Sequence, residues 1–145
     1  MGNNNKPSFC MGCPLYEEPL VKSENTNIPA DVWLVGEAPG ETEVMQGRPF
    51  VGRAGQLLRT TLSQIGWNYK VMITNAVLCH PPGNRTPTVK EINYCKWHLT
   101  KLKEVMPPPK LIIALGSTAA KALDIPHNKF DDVRGKIFKT QYGNV

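Results

Sequence analysis

Three groups of residues in this chain of 145 have the types and spacing to do chemistry. The first lies in a loop rich in glycine and proline, Gly36-Glu-Ala-Pro-Gly40 running through Gly47-Arg-Pro-Phe-Val-Gly52 to Arg59. Glycine at that density gives up conformational freedom for backbone shape, which predicts a loop that cradles a ligand at the carboxyl end of a strand. Glu37 is the carboxylate nearest the preceding apolar run and is placed to hold or orient a water nucleophile. Glu41 and Glu43 read instead as solvated carboxylates or as the first turn of a helix. Phe50, an aromatic in polar surroundings, either stacks on a base or closes the local core. The second group is Asn75 alone. Its amide offers one acceptor and two donors, enough to read a pyrimidine edge, though such a residue commonly just caps a turn. The spacing Gly36-x-x-x-Gly40 is neither a phosphate-binding loop nor a dinucleotide fingerprint.

The third group is the four cysteines. Cys10-Met-Gly-Cys13 is a preorganised pair, and Cys79 and Cys95 stand far downstream, one in a loop and one on a helical stripe. The N-terminus has no apolar core that would make it a secretory signal, and no apolar run approaches the roughly 18 residues that span a bilayer. A cytoplasmic, non-secreted protein is expected, in which disulfides are disfavoured. Four thiolates suit either a tetrahedral Zn²⁺ or a [4Fe–4S] cluster. Taken singly, Cys79 and Cys95 read as small core residues.

The elements that must position these groups alternate. Asp31-Val-Trp-Leu-Val35 reads as a strand whose continuous apolar run predicts cover on both faces. Ala54, Leu57, Leu58, Leu62 and Ile65 recur at helical spacing, with Gly66 as the stop. Val71 to Val77 is a second strand and Leu78 to Thr88 a loop. Thr88-Val-Lys-Glu91 is a capping box opening a helix that carries Ile92, Cys95, Leu99, Leu102 and Met106 before Pro107-Pro-Pro109. Lys110 to Leu115 is a third buried strand, Ser117 to Leu123 a short helix, and Lys136 to Thr140 a weak last strand. This order predicts one α/β domain over residues 1–145 with a parallel sheet and a flexible start at residues 1–9.

The net charge of +5 tilts towards an anionic partner, nucleic acid above all, although a basic surface kept for solubility explains it equally. Arg48, Arg53, Arg59 and Arg85, with Lys90 nearby, are candidate phosphate contacts. His80 reads as a surface or DNA-facing residue; His98 and His127 carry no signal.

Together Gly36-Glu-Ala-Pro-Gly40, Gly47-Arg-Pro-Phe-Val-Gly52, Ile73-Thr-Asn-Ala-Val77, Cys79-x-Pro-Pro-Gly-Asn-Arg-Thr-Pro87 and Leu115-Gly-Ser-Thr-Ala119 resemble, in order and spacing, the family 4 uracil-DNA glycosylases. These are the iron–sulfur members of their superfamily. The resemblance runs from Cys10 to about Phe138. It implies a three-layer α/β/α sandwich around a four-stranded parallel sheet, and a [4Fe–4S] cluster held by Cys10, Cys13, Cys79 and Cys95 in a structural role. It implies that Glu37, with the backbone of Ala38, Pro39 and Gly40, positions the attacking water. Phe50 would stack on a flipped uracil and Asn75 would read its edge. The expected activity is monofunctional: hydrolysis of the N-glycosidic bond in single- or double-stranded uracil-containing DNA, leaving an abasic site in base-excision repair. Arg48, Arg53 and Arg85 would touch DNA phosphates, and the protein would act as a monomer.

One departure stands out. The family carries a His-Pro-Ser motif, or one close to it, after the last strand, whose His stabilises the departing uracil anion. Arg134-Gly-Lys-Ile-Phe138 resembles the lead-in, and no His follows His127. Losing such a stabiliser typically costs about 10² to 10³ in rate. The chain is therefore expected to be shortened at its C-terminus relative to the family. The alternatives are a weak or inactive iron–sulfur module that binds DNA or uracil without turnover, and a zinc-stabilised structural domain.

Overall fold

In β1 (Val32–Gly36) every residue is buried, as its continuous apolar run requires. The computed structural model describes residues 6–145. After β1 come α1 (Glu41–Gln46), α2 (Arg53–Gln64), β2 (Val71–Asn75), α3 (Val89–Val105), β3 (Leu111–Ala114), α4 (Ser117–Ala122), β4 (Lys139–Thr140) and β5 (Gly143–Asn144). The sheet order is β2-β1-β3, with both pairings parallel, so β1 is central. Alternate side chains of β1 serve two cores. Trp33 and Val35 join Met72, Ile112, Leu99 and Leu123 on the side of α3 and α4. Val32 and Leu34 join Ile73, Leu58 and Leu62 on the side of α2. Helices on both faces of a parallel sheet make the expected three-layer arrangement.

Two expectations change. The resemblance implied four parallel strands; three form the sheet among the described residues. The segment expected as a last strand, Lys136–Thr140, contributes only Lys139 and Thr140, and these pair antiparallel with β5 in a local hairpin. Hydrogen bonds between Phe138 and Val145 close that hairpin, and Tyr142 and Val145 are buried in the larger core. The hairpin is anchored by those two side chains and does not extend the sheet. At the other edge, residues 20–24 run antiparallel beside β2, bridging Leu20 to Cys79 and Glu24 to Ile73. Residues 1–5 of the start expected to be flexible lie outside the described residues. Lys6 is buried, its Nζ donating to the carbonyls of Leu15, Tyr16 and Glu18 at 3.3, 2.6 and 2.7 Å. Among the described residues no helix is long and apolar enough to cross a membrane.

The capping box at Thr88 forms as expected, with Glu91 N donating to Thr88 Oγ1 and Thr88 N to Glu91 Oε1. Further along α3, His98 is 3% exposed and neither ring nitrogen has a hydrogen-bond partner. Burial pushes its pKa down from 6.5 to about 4, with the nearby Ala76 and Asn75 peptide groups acting in the opposite direction. The folded chain therefore keeps the ring neutral, while an unfolded His takes a proton below about 6.5. The His98 contribution to stability is fully present above 6.5 and declines as pH falls through that window towards about 4, because the unfolded state binds the extra proton. Urea midpoints measured across this range should fall with pH, and His98→Leu should flatten that slope.

Candidate base-binding pocket and cysteine cavity

The parallel register decides what meets at the end of the sheet. Gly36, the last residue of β1, lies beside Asn75, the last of β2. Chains leave both strands there: Ala76 N donates to Gly36 O at 2.8 Å and Val77 N to Glu37 O at 3.1 Å. A cavity of about 450 Å³ opens over this end, lined by Gly36, Glu37, Ala38, Phe50 and Asn75 among others. That size suits a small ligand or a single base. Gly36 has no alternative here. A Cβ on it would run into Phe50 Cζ and stand 2.6 Å from Asn75 Oδ1, so the ring and the amide close in over bare backbone.

Phe50 is fixed by its backbone. It adopts φ of +55°, a left-handed conformation that a bulky residue takes only when its surroundings enforce it. Arg59 supplies that enforcement. Its Nε donates to Phe50 O at 2.7 Å and its Nη2 to Pro49 O at 2.9 Å. Gly55 lets α2 pass so close that any Cβ there would strike the Phe50 carbonyl group. The ring then packs against the α2-side core and lines the cavity. Asn75 is 4% exposed, and its amide makes no hydrogen bond to the described residues, leaving both of its functions open to the cavity.

Glu43 holds this architecture together. Its Oε1 accepts from Gly40 N at 2.9 Å, and its Oε2 accepts from Val51 N at 2.9 Å and Gly52 N at 2.6 Å. One carboxylate thereby ties the loop carrying Glu37 to the turn carrying Phe50. Partial burial pushes its pKa up, but the hydrogen bonds from Gly52, Val51 and Gly40 outweigh that and hold it below 4.5. Of the two sequence readings of Glu41 and Glu43, the first turn of a helix is the one that forms, as α1, while the clamp made by Glu43 does not stand out in the sequence. His80, expected at a surface or facing DNA, is instead a second brace: its Nδ1 is 2.8 Å from Pro39 O. The exposed Glu37 lines the same cavity, with Oε2 accepting from Thr118 Oγ1 at 2.6 Å.

The candidate phosphate contacts divide. Arg48 Nε lies 3.0 Å from Glu24 Oε1, and Arg59 also reaches Glu24, so these two brace the Phe50 turn. Arg85 grips Glu91 with two 2.8 Å hydrogen bonds, and Glu91 is 1% exposed. That guanidinium, followed by burial in opposition, sets the Glu91 pKa below 4.5. Arg53 has no carboxylate partner among the described residues and stands at the rim of the cavity beside Gly40 and Gly52.

The cysteines converge elsewhere. Cys10, Cys13, Cys79 and Cys95 line one cavity together with Lys6, Leu15, Tyr94 and Trp97, and all four are free thiols. Burial raises the pKa of Cys10, Cys79 and Cys95, the last to about 12. Peptide N–H groups already point at two sulfurs, Leu15 N at Cys13 Sγ (3.4 Å) and Leu78 N at Cys95 Sγ (3.3 Å). Among the described residues no three Cys, His, Asp or Glu side chains are gathered as tightly as around a single ion. The thiols instead ring a space. Four soft donors line this one cavity, and peptide N–H groups are aimed at two of the sulfurs, a donor set whose chemistry suits thiolate ligation.

Replacing Glu43 by Gln turns one acceptor oxygen into a donor facing backbone N–H groups. The variant should lose about 1 kcal/mol at neutral pH, since the site is partly solvated. Because the folded Glu43 pKa is depressed, its contribution is present above 4.5 and is lost as pH falls through the lower folded value. Wild-type and Glu43→Gln urea midpoints should therefore differ at neutral pH and converge in acid.

Comparison with known proteins agrees with this geometry. Residues 24–143 match the family model of the Uracil DNA glycosylase superfamily. The chain is similar to the type-4 uracil-DNA glycosylase of Pyrobaculum aerophilum, 42% identical over 143 residues covering 94% of this chain and 72% of that protein. It is similar to the type-4 enzyme of Archaeoglobus fulgidus at 35% identity, covering 91% of this chain and 69% of the relative. A type-5 uracil-DNA glycosylase of Thermus thermophilus is 34% identical over 110 residues, 65% of this chain and 49% of that protein. The chain belongs to the uracil DNA glycosylase superfamily.

Proposed function

We propose that this chain is a uracil-DNA glycosylase that hydrolyses the N-glycosidic bond of a uracil flipped out of DNA, leaving an abasic site. The observation that carries the reading is the convergence of Glu37, Phe50 and Asn75 on one cavity at the carboxyl ends of parallel strands. A base held in the stack is beyond reach of any side chain, so it must leave the helix and enter that cavity. There Phe50 offers its ring for stacking, and its fixed backbone means that no ordering is left to do when the base arrives. The Asn75 amide can donate to one uracil oxygen and accept from the ring N–H. Glu37, exposed at the same cavity, orients water towards the sugar carbon and opposes the positive charge that develops on the sugar. The water oxygen bonds to that carbon as the carbon–nitrogen bond breaks. The electron pair departs with uracil, and the water proton passes to Glu37.

The leaving group is the weak side of the site. Among the described residues no His lines the cavity, so the Asn75 N–H is the neutral donor nearest to the departing anion. A binding module without turnover is the second reading. DNA would approach along the rim where Arg53 stands, with no carboxylate partner among the described residues. We place the protein in the reducing interior of a cell, acting as a monomer.

Cys10, Cys13, Cys79 and Cys95 would hold a [4Fe–4S] cluster. Bound there, such a cluster supplies a rigid cross-link among the N-terminal segment, the loop after β2 and α3. The chain's own residues keep the cavity apolar and direct N–H groups at sulfur.

Purified wild-type chain incubated with a uracil-containing oligonucleotide should give alkali-labile strands, and Glu37→Ala should slow this by about 10²-fold or more. Tight binding of uracil-containing DNA with no cleavage at high protein concentration would instead establish the binding module. Iron and sulfide analysis tests the cofactor: a brown protein with about four irons per chain, bleached in Cys95→Ser, is expected, and zinc without iron overturns the cluster.

A further inference from the structure

Glu37 stands on a loop and is exposed, which is a poor setting for a carboxylate that must aim at one atom. Its anchor comes from α4. Thr118, the second residue of α4, is 7% exposed, and its Oγ1 lies 2.6 Å from Glu37 Oε2. A hydroxyl facing a carboxylate donates, so the single Thr118 proton is committed to that oxygen. No other hydrogen bond reaches the Glu37 carboxylate among the described residues, and Oε1 is left free.

The donor itself is well fixed. Thr is β-branched and stiff at χ1, and Thr118 is packed in the sandwich. The turn before it is tied to the central strand by Leu115 N donating to Val35 O at 2.8 Å. Gly116 turns the chain with φ of +103°. Ser117 Oγ lies 2.7 Å from His127 Nε2, while His127 Nδ1 lies 2.9 Å from Ile125 O. The carbonyl of Ile125 can only accept, so Nδ1–H donates to it, and in the neutral ring Nε2 then accepts from Ser117 Oγ. Two neighbouring hydroxyls are therefore directed oppositely: Ser117 locks the start of α4 outwards, and Thr118 reaches inwards to Glu37.

We propose that Thr118 is the positioning residue of the catalytic carboxylate: by occupying Oε2 it sets the Glu37 rotamer and leaves Oε1 as the oxygen that orders water. The proposal rests on the glycosylase reading above. It assigns to α4 a role that neither charge nor motif spacing in the sequence announces, because Glu37 and Thr118 are 81 residues apart.

The test is steady-state cleavage of a uracil-containing oligonucleotide by wild type, Thr118→Val and Thr118→Ser, each checked for an unchanged urea midpoint. Val keeps the shape and removes the donor; Ser keeps the donor. Thr118→Val should lower kcat about ten- to a hundredfold with KM unchanged, and Thr118→Ser should restore most of it. In a Glu37→Ala background Thr118→Val should have no further effect. Val matching wild type overturns the proposal and leaves the glycosylase reading intact. So does equal loss in Val and Ser, which marks a packing role. Absence of cleavage by the wild-type chain overturns both together.

Discussion

A single carboxylate holds the two halves of the pocket in register. Glu43 accepts hydrogen bonds from Gly40, Val51 and Gly52, so the loop bearing Glu37 and the turn bearing Phe50 are held together. Around that clamp the remaining restraints fall into place. Arg59 takes the carbonyls of Pro49 and Phe50, His80 takes that of Pro39, and Thr118 takes the second oxygen of Glu37. Each replaces a water contact by a hydrogen bond to the protein, modest singly, but together they fix a loop that carries four of the chain's glycines between Gly36 and Gly52. Rigidity is the point. A site that stabilises a fleeting charge must be shaped before the charge appears.

The layers and the core were legible in the sequence, because burial leaves a periodic signature. The all-apolar β1, the α2 stripe of Leu58 and Leu62, and the capping box of Thr88 and Glu91 all form. Convergence of the four cysteines on one cavity was legible from their number and from the preorganised Cys10-x-x-Cys13 pair. Helix α1 was legible only as one of two readings of Glu41 and Glu43, since its six residues bury no side chain and the partners of Glu43 lie outside the helix. The final strand candidate failed for a related reason: short apolar runs do not say what they pair with, and Tyr142 and Val145 pull the segment back into a hairpin.

Charge partners were the least legible. Arg48, Arg59 and Arg85 look in the sequence like cations awaiting phosphate, yet each faces a carboxylate supplied by tertiary structure, Glu24 for the first two and Glu91 for the third. The Arg85–Glu91 pair had a local hint, for Glu91 was already marked by the capping box, and a buried carboxylate at a helix start needs a counter-charge as well as a cap. The pairing of Thr118 with Glu37 had none. What the basic balance of the chain offers DNA is accordingly narrower than its count of arginines, and Arg53 is the one among the candidate three whose charge is not already matched by a described carboxylate.

The central claim is that Phe50, Asn75 and Glu37 form one uracil-reading site. A crystal structure of the chain soaked with uracil tests it most directly. The account predicts the base lying flat on the Phe50 ring, with the Asn75 amide in bidentate hydrogen-bond contact with its edge and Glu37 beside the ring nitrogen that would carry the sugar. Uracil bound elsewhere, or a cavity that stays empty at saturating uracil while Phe50 and Asn75 keep their places, would contradict it.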